Sequence, residues 1–141
     1  MTDLKATLSA FALAGHAVFR VAAGILFFQH GAQKLLGWFG GFGGTPGATA
    51  ELVSQMGLAG VLETGGGLLL AFGLFVRPAA LVLIGEMLVA YFQAHFPRGG
   101  WPIENAGELA LLYAAIFVFF ATHGAGRYSL DDWFRKLKKT A

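Results

Sequence analysis

The sequence predicts an all-α integral membrane protein: a four-helix bundle with both termini in the cytoplasm and a short amphipathic interfacial helix at the C-terminus. Of its 141 residues, 56% are hydrophobic and 13% are charged, and the charged share is about half that of an ordinary soluble domain. Four apolar segments follow one another, each at or near the roughly 17 to 25 residues that a membrane helix needs. Four such segments leave too little polar sequence to cover a soluble bundle.

The predicted spans run from about residues 11 to 36, 52 to 76, 79 to 95 and 107 to 123. Basic residues lie at the N-terminus, in the turn between the second and third spans, and in the C-terminal tail. Because cytoplasmic loops carry the excess of Lys and Arg, this pattern places both termini inside. We therefore divide the chain into a transmembrane domain, residues 1–126, and a cytoplasmic basic tail, residues 127–141.

The tail is predicted to form an amphipathic helix at the membrane surface. Leu130, Trp133, Phe134 and Leu137 follow the i, i+3, i+4, i+7 spacing of one helical face. Such a helix lies on the bilayer and is attracted to anionic headgroups, which makes membrane lipids the predicted partner. The residues assigned to this surface are Trp133, Arg135, Lys136, Lys138 and Lys139. Since the basic charge is local, nucleic acid is not an expected partner.

Three ionisable residues are predicted to lie deep in the membrane. In the first span, Arg20 shares a helical stripe with Gly24 and Gly31, and such small residues allow a neighbouring helix to approach closely. Counted from the segment ends, Arg20, Glu63 and Glu86 fall at one depth. A buried arginine needs partners, so we expect Arg20 to bond directly to Glu63 or Glu86, with Glu63 as its charged partner. The other carboxyl group should then hold a proton, because a net charge of −1 is disfavoured in hydrocarbon.

A second polar layer is predicted nearer the outer surface. Its candidate residues for binding a quinone or a small ligand are His30, Lys34, Gln93, Asn105 and Glu108. Ordinary interfacial polarity explains this layer equally well. Asn105 and Glu108 also have the spacing of a capping box, in which Glu108 would stabilise the start of the fourth helix.

Several motifs together resemble the DoxX family. They are R-x3-G-x2-F-x3-G-x2-K from Arg20 to Lys34, the glutamate in GVLETGGGLLLAFG, NAGE before the fourth span, and GAGRYSLDD after it. The resemblance implies a small four-span protein of the bacterial plasma membrane. It also implies a link to redox systems, since the family takes its name from a subunit associated with a quinone-reducing oxidoreductase, and some members are linked to thiol oxidoreductases. This chain has no cysteine, which excludes direct thiol exchange by its own side chains.

Three functions are compatible with these features. The first is a membrane subunit of a redox system that binds a quinone-like lipid, or handles protons, for a soluble or membrane-bound oxidoreductase. The second is a non-catalytic scaffold that recruits a soluble enzyme to the bilayer, and the third is a small-molecule carrier. Haem is disfavoured because, in a regular helix, His95 would point away from the core of the bundle. The histidine at the same depth would then have no second histidine to pair with. No metal site is expected, no residue is assigned a catalytic role, and a homo-oligomer remains open.

Overall fold

The computed structural model describes residues 2–140, and for Thr2 the backbone alone. Within this range the chain is helical and contains no β-strand. The helices are α1 (Thr2–Leu36), α2 (Gln55–Phe72), α3 (Val76–Ala90), α4 (Pro102–Asn105), α5 (Glu108–His123) and α6 (Leu130–Thr140). A π-helical turn, Tyr91–His95, and a 3₁₀ turn, Phe96–Arg98, extend α3. The fold class predicted from the sequence is confirmed.

Three helical segments are long and apolar enough to cross a membrane: α1, α2, and α3 with its two turns. The fourth, α5, has 16 residues, which is about 24 Å of helix against a hydrocarbon core of roughly 30 Å. It packs along α3 and completes the bundle. Phe117 and Phe120 of α5 are fully buried, and Phe117 meets Phe27 of α1 with ring centroids 4.8 Å apart.

Glycines bring α1 and α2 into close contact. A Cβ atom on Gly24 would lie 2.5 Å from the backbone nitrogen of Ala71, and one on Gly67 would lie 2.6 Å from the backbone nitrogen of Phe28. Gly31 faces Gly60 and Thr64 in the same way. The two backbones therefore approach more closely than any larger residue would allow, as expected from the glycines on the first-span stripe.

The bundle has two distinct ends. The α6 end contains the α2–α3 turn, the α5–α6 connection and α6, which is joined to the α2–α3 turn by the Asp131 amide donating to the Gly73 carbonyl at 2.9 Å. The loop end contains the segments 37–54 and 96–107. Helix α1 projects beyond the α6 end: residues 3 to 12 are exposed, and the rise per residue makes this projection roughly 15 Å long.

Candidate functional site

Arg20 occupies a different environment from the one the sequence predicts. Its side chain is buried, but Nη1 donates to the Ala125 carbonyl and Nη2 donates to the Tyr128 carbonyl at 2.9 Å. Among residues 2–140, neither Glu63 nor Glu86 bonds to it. The predicted Arg20–Glu63–Glu86 triad is therefore wrong, and Arg20 instead holds the α5–α6 connection against α1.

The error comes from the length of α1. The predicted depth of Arg20 was counted from the start of the apolar segment, near Phe11. In the structure, Phe11 belongs to the part of α1 that projects beyond the bundle. Arg20 is level with Gly73, the residue at the end of α2. A Cβ atom added to Gly73 would lie 2.8 Å from the guanidinium carbon of Arg20. It therefore lies at the rim of the bundle, where free carbonyl groups of a loop are available as acceptors.

The partner of Glu63 is Lys34. The Lys34 ammonium lies 2.6 and 2.8 Å from the two Glu63 carboxylate oxygens. Glu63 is midway along α2 and is 5% exposed, so this ion pair is largely shielded from solvent. The arrangement follows from the glycine contact: Gly60 packs against Lys34 Cβ, and the lysine side chain then runs along α2 to the carboxylate one turn away.

Glu86 lies close to this pair without bonding to it. It interacts electrostatically with both Glu63 and Lys34. Both of its carboxyl oxygens are buried, and neither has a hydrogen-bond partner in the part of the chain that the structure describes. An unpartnered polar group in an apolar interior is costly, so these two oxygens mark the place where a further group is needed.

A cavity of about 540 Å³ surrounds these charges. We call it the loop-end pocket, and it is lined by α1, α2, α3 and α5 in the half of the bundle that faces the loop end. Its polar lining is His30, Lys34, Gln55, Glu63, Glu86 and His95, together with Tyr113. The remaining walls are apolar, with Leu58 and Val89 exposed on the outer surface on either side. This combination of an apolar cleft with a few convergent polar groups is typical of small-molecule sites.

The structure separates the five residues of the predicted outer layer. His30 and Lys34 line the loop-end pocket. Gln93 is exposed and accepts a hydrogen bond from Gln55 at the pocket rim. Asn105 is buried and serves the backbone, since its amide donates to the Gly99 carbonyl at 2.8 Å and its oxygen accepts from the Gly107 amide at 2.8 Å.

Glu108 is exposed and lies outside the pocket lining. The predicted capping box is also wrong, because α5 begins at Glu108 itself, with Gly107 as the N-cap residue. Asn105 bonds to the Gly107 amide and not to the helix that follows. Its spacing to Glu108 therefore reflects a turn before α5 and not a cap.

His95 was missed as a pocket residue because α3 ends irregularly. In a regular helix it would lie opposite Glu86, but the π turn Tyr91–His95 rotates less per residue. His95 therefore returns towards the pocket, where its Nδ1 lies 3.1 Å from the Asn105 carbonyl oxygen. The prediction that haem is disfavoured assumed a regular helix up to His95, and the π turn breaks that regularity. Among residues 2–140, no group of His, Asp and Glu is arranged to hold a metal ion.

At the other end, α6 has the predicted amphipathic form. Leu130 and Asp131 are partly buried, whereas Trp133, Phe134 and Leu137 are exposed to about one half. The Asp131 carboxylate accepts hydrogen bonds from the Phe75 and Val76 amides at 3.0 and 3.3 Å. It thereby caps the N-terminus of α3, which has no capping side chain of its own.

Asp132 lies in the first turn of α6, three residues after Ser129. Its amide donates to Ser129 Oγ at 3.2 Å. Its carboxylate instead meets Lys136 Nζ and Arg135 Nη2, each at 2.5 Å. Hydrogen bonds from Lys136 and then Arg135 lower the pKa of Asp132 below its ordinary value.

Its several apolar helices, with charged groups enclosed among them, place this chain in the class of multi-pass helical membrane proteins. The profile of the DoxX family matches residues 15–96, more than half of the chain, and the chain belongs to the DoxX family. The match begins just before Arg20 and ends just after the π turn, so it includes Lys34, Glu63 and Glu86. No solved structure matches the chain.

Two similar proteins cover most of the chain. An uncharacterized protein of Haemophilus influenzae is 41% identical over 123 residues, which cover 85% of this chain and 90% of that protein. The inner membrane protein YqjF of Escherichia coli is 30% identical over 131 residues, which cover 86% of this chain and 93% of that protein. The chain is accordingly a multi-pass protein of the bacterial inner membrane.

Proposed function

We propose that the protein is a membrane subunit of a redox system, that it binds the headgroup of a quinone-like lipid in the loop-end pocket, and that it handles protons there for a partner oxidoreductase. The observation that carries the proposal is Glu86. Its two buried oxygens have no partner among the described residues, and they lie beside the Lys34–Glu63 ion pair in a cleft at mid-span.

The pocket has the size and the polarity that such a headgroup needs. Its volume, about 540 Å³, falls within the usual range of ligand sites. His30 and Tyr113 offer polar edges, with ring centroids 5.9 Å apart, and Glu86 lines the same cavity. The exposed Leu58 and Val89 flank the gap between α2 and α3, where an apolar tail would lie among lipid chains.

The chain's own residues would have distinct roles. Lys34 donates two short hydrogen bonds to Glu63, which places one ion pair in the wall. Glu86 lacks such a partner and is stabilised in the apolar cleft when it carries a proton. It is therefore the residue that would give a proton to, or accept one from, a bound group. The quinone class would supply the two-electron chemistry, and the partner would supply the electrons.

The test uses purified full-length protein in detergent, with a decyl-tailed benzoquinone as the probe. We expect saturable binding, with the Kd raised about tenfold in Glu86→Gln, roughly the loss of one charged or strongly polar contact. Glu108→Gln is the matched control, because this exposed glutamate lies at the same end outside the pocket, and its Kd should stay within about twofold of the parent value.

Two results would overturn the proposal. One is the absence of both saturable binding and quinone from an organic extract of the protein. The other is an equal Kd change in Glu86→Gln and Glu108→Gln. If a soluble enzyme co-purified at equal stoichiometry while no quinone bound, the scaffold function would replace the one proposed.

A further inference from the structure

A second cavity, of about 490 Å³, lies at the α6 end. It is formed where α1, the last turn of α2 and the first turns of α6 meet. We call it the tail groove, and its lining includes Arg20, Val21, Phe72, Asp132 and Lys136. It is separate from the loop-end pocket, with which it shares no lining residue.

The tail groove has an apolar side and a positive side. Val21 and Phe72 are 36% and 62% exposed on the lipid-facing surface of the bundle. Arg20 lies at the floor, 2% exposed, and its Nε has no hydrogen-bond partner among residues 2–140. Lys136 projects from α6 with its side chain 67% exposed. A ligand in this groove therefore meets lipid-facing hydrocarbon at one side and two cations at the other.

We propose that the tail groove binds the phosphate group of an anionic phospholipid. A buried arginine charge at the floor attracts an anion strongly because the surrounding medium screens it weakly. Basic pockets between membrane helices on the cytoplasmic side recognise lipid headgroups in this way. The apolar side formed by Val21 and Phe72 suits the glycerol and acyl portion of the same molecule.

The acidic residue that lines the groove does not prevent this binding. Asp132 also lines the groove, and with Arg20 and Lys136 it leaves a net charge of +1. The Asp132 carboxylate is bonded to both Lys136 and Arg135. When Lys136 turns towards a phosphate, Arg135 remains to neutralise Asp132, so no carboxylate is left unpaired.

The experiment measures binding of two probes to the full-length protein in a neutral detergent. Dihexanoyl-phosphatidylglycerol represents the lipid and inorganic phosphate represents the free anion. We compare Lys136→Gln with Lys139→Gln, which removes the same charge from the same exposed helix but does not line the groove. We expect Lys136→Gln to weaken lipid binding about fivefold, the effect of one basic residue near a headgroup, and Lys139→Gln to change it by less than about twofold.

The outcomes separate the sources of the phosphate. Saturable lipid binding that depends on Lys136, with inorganic phosphate unable to compete at millimolar concentration, supports a lipid site. Competition by inorganic phosphate with the same dependence on Lys136 supports a phosphate site filled from solution. Equal losses in the two lysine variants would mean diffuse attraction along α6, and this result, or no saturable binding of either probe, would overturn the proposal.

Discussion

The two ends of the bundle stabilise buried charge in different ways. At the α6 end, Arg20 donates to the carbonyl groups of Ala125 and Tyr128. Backbone carbonyls do not ionise, so the acceptors of these two hydrogen bonds do not change with pH. In the loop-end half, Lys34 is bonded to the Glu63 carboxylate and Glu86 lies beside the pair, so the partners of each charge are themselves side chains with ionisable groups. Burial alone therefore does not distinguish a structural charge from a functional one, whereas the chemistry of its partners does.

The largest effect is expected at Arg20. Arg20→Ala leaves the Ala125 and Tyr128 carbonyls without their donor, and about 1 to 3 kcal/mol for each group gives a loss of about 2 to 6 kcal/mol in unfolding free energy. Denaturant unfolding in detergent measures it. Arg127→Ala is the control, because Arg127 is exposed in the same connection. A loss at Arg20 no larger than the loss at Arg127 would contradict the structural role.

The loop-end charges should behave as a coupled set. In Glu63→Gln, the nearby Glu86 can ionise and take over the Lys34 charge, so the cost should be about 1 kcal/mol, well below that of an unpaired buried charge. Glu86→Gln alone should be close to neutral, while the double variant should lose about 3 kcal/mol. A double-mutant cycle of unfolding free energies measures this coupling. Strict additivity would show that Glu86 does not replace Glu63.

The glycine contact between α1 and α2 should give a smaller effect. Gly24→Ala places a Cβ against the Ala71 backbone, and the forced separation of the helices should cost about 1 to 3 kcal/mol. Gly15→Ala is the matched control in the same helix, since its Cβ would have no neighbour within 4 Å. That variant should be unchanged or more stable by up to about 1 kcal/mol. The prediction fails if both variants shift the unfolding midpoint equally.

The smallest effect concerns the pH dependence of α6. Because ion pairs lower the folded-state pKa of Asp132 below 3.8, its contribution is complete above the unfolded pKa and is lost as the pH falls through the folded value. Hydrogen exchange of the α6 amides should therefore accelerate, relative to intrinsic rates, below about pH 4. Asp132→Asn should show no such transition. An identical acid transition in that variant would assign the effect to another group.

The elements that depend on periodicity were predictable from the sequence. The number and order of the spans, the glycine stripe of α1, and the amphipathic face of α6 all follow from local spacing. Arg20, Glu63 and Glu86 were correctly expected to be shielded, because charged residues in an apolar segment seldom face lipid. The pairing of those charges was not predictable, since it depends on how far each helix extends beyond the bundle.

Two further features depended on irregular backbone. Helix α1 continues past the bundle, which moves Arg20 to the rim and leaves Lys34 as the basic residue level with Glu63. The π turn brings His95 towards Glu86, although regular spacing places it on the far side. Neither feature produces a periodic pattern in the sequence. The composition of Tyr91–His95 is also compatible with an ordinary α-helix.

The π turn also makes the length of α3 part of the site. A π turn contains one residue more than an α-helical turn, so deleting a single residue, such as Ala94, would let the segment close as regular α-helix. Because the lost residue and the tighter winding offset each other, His95 would then keep its direction. A deletion in the regular part of α3, such as Val89, would instead turn every later residue by about 100°, and His95 would leave the wall of the loop-end pocket while every polar residue of the pocket remained in the chain. The site thus depends on the number of residues in α3 and its π turn as well as on the identity of its side chains.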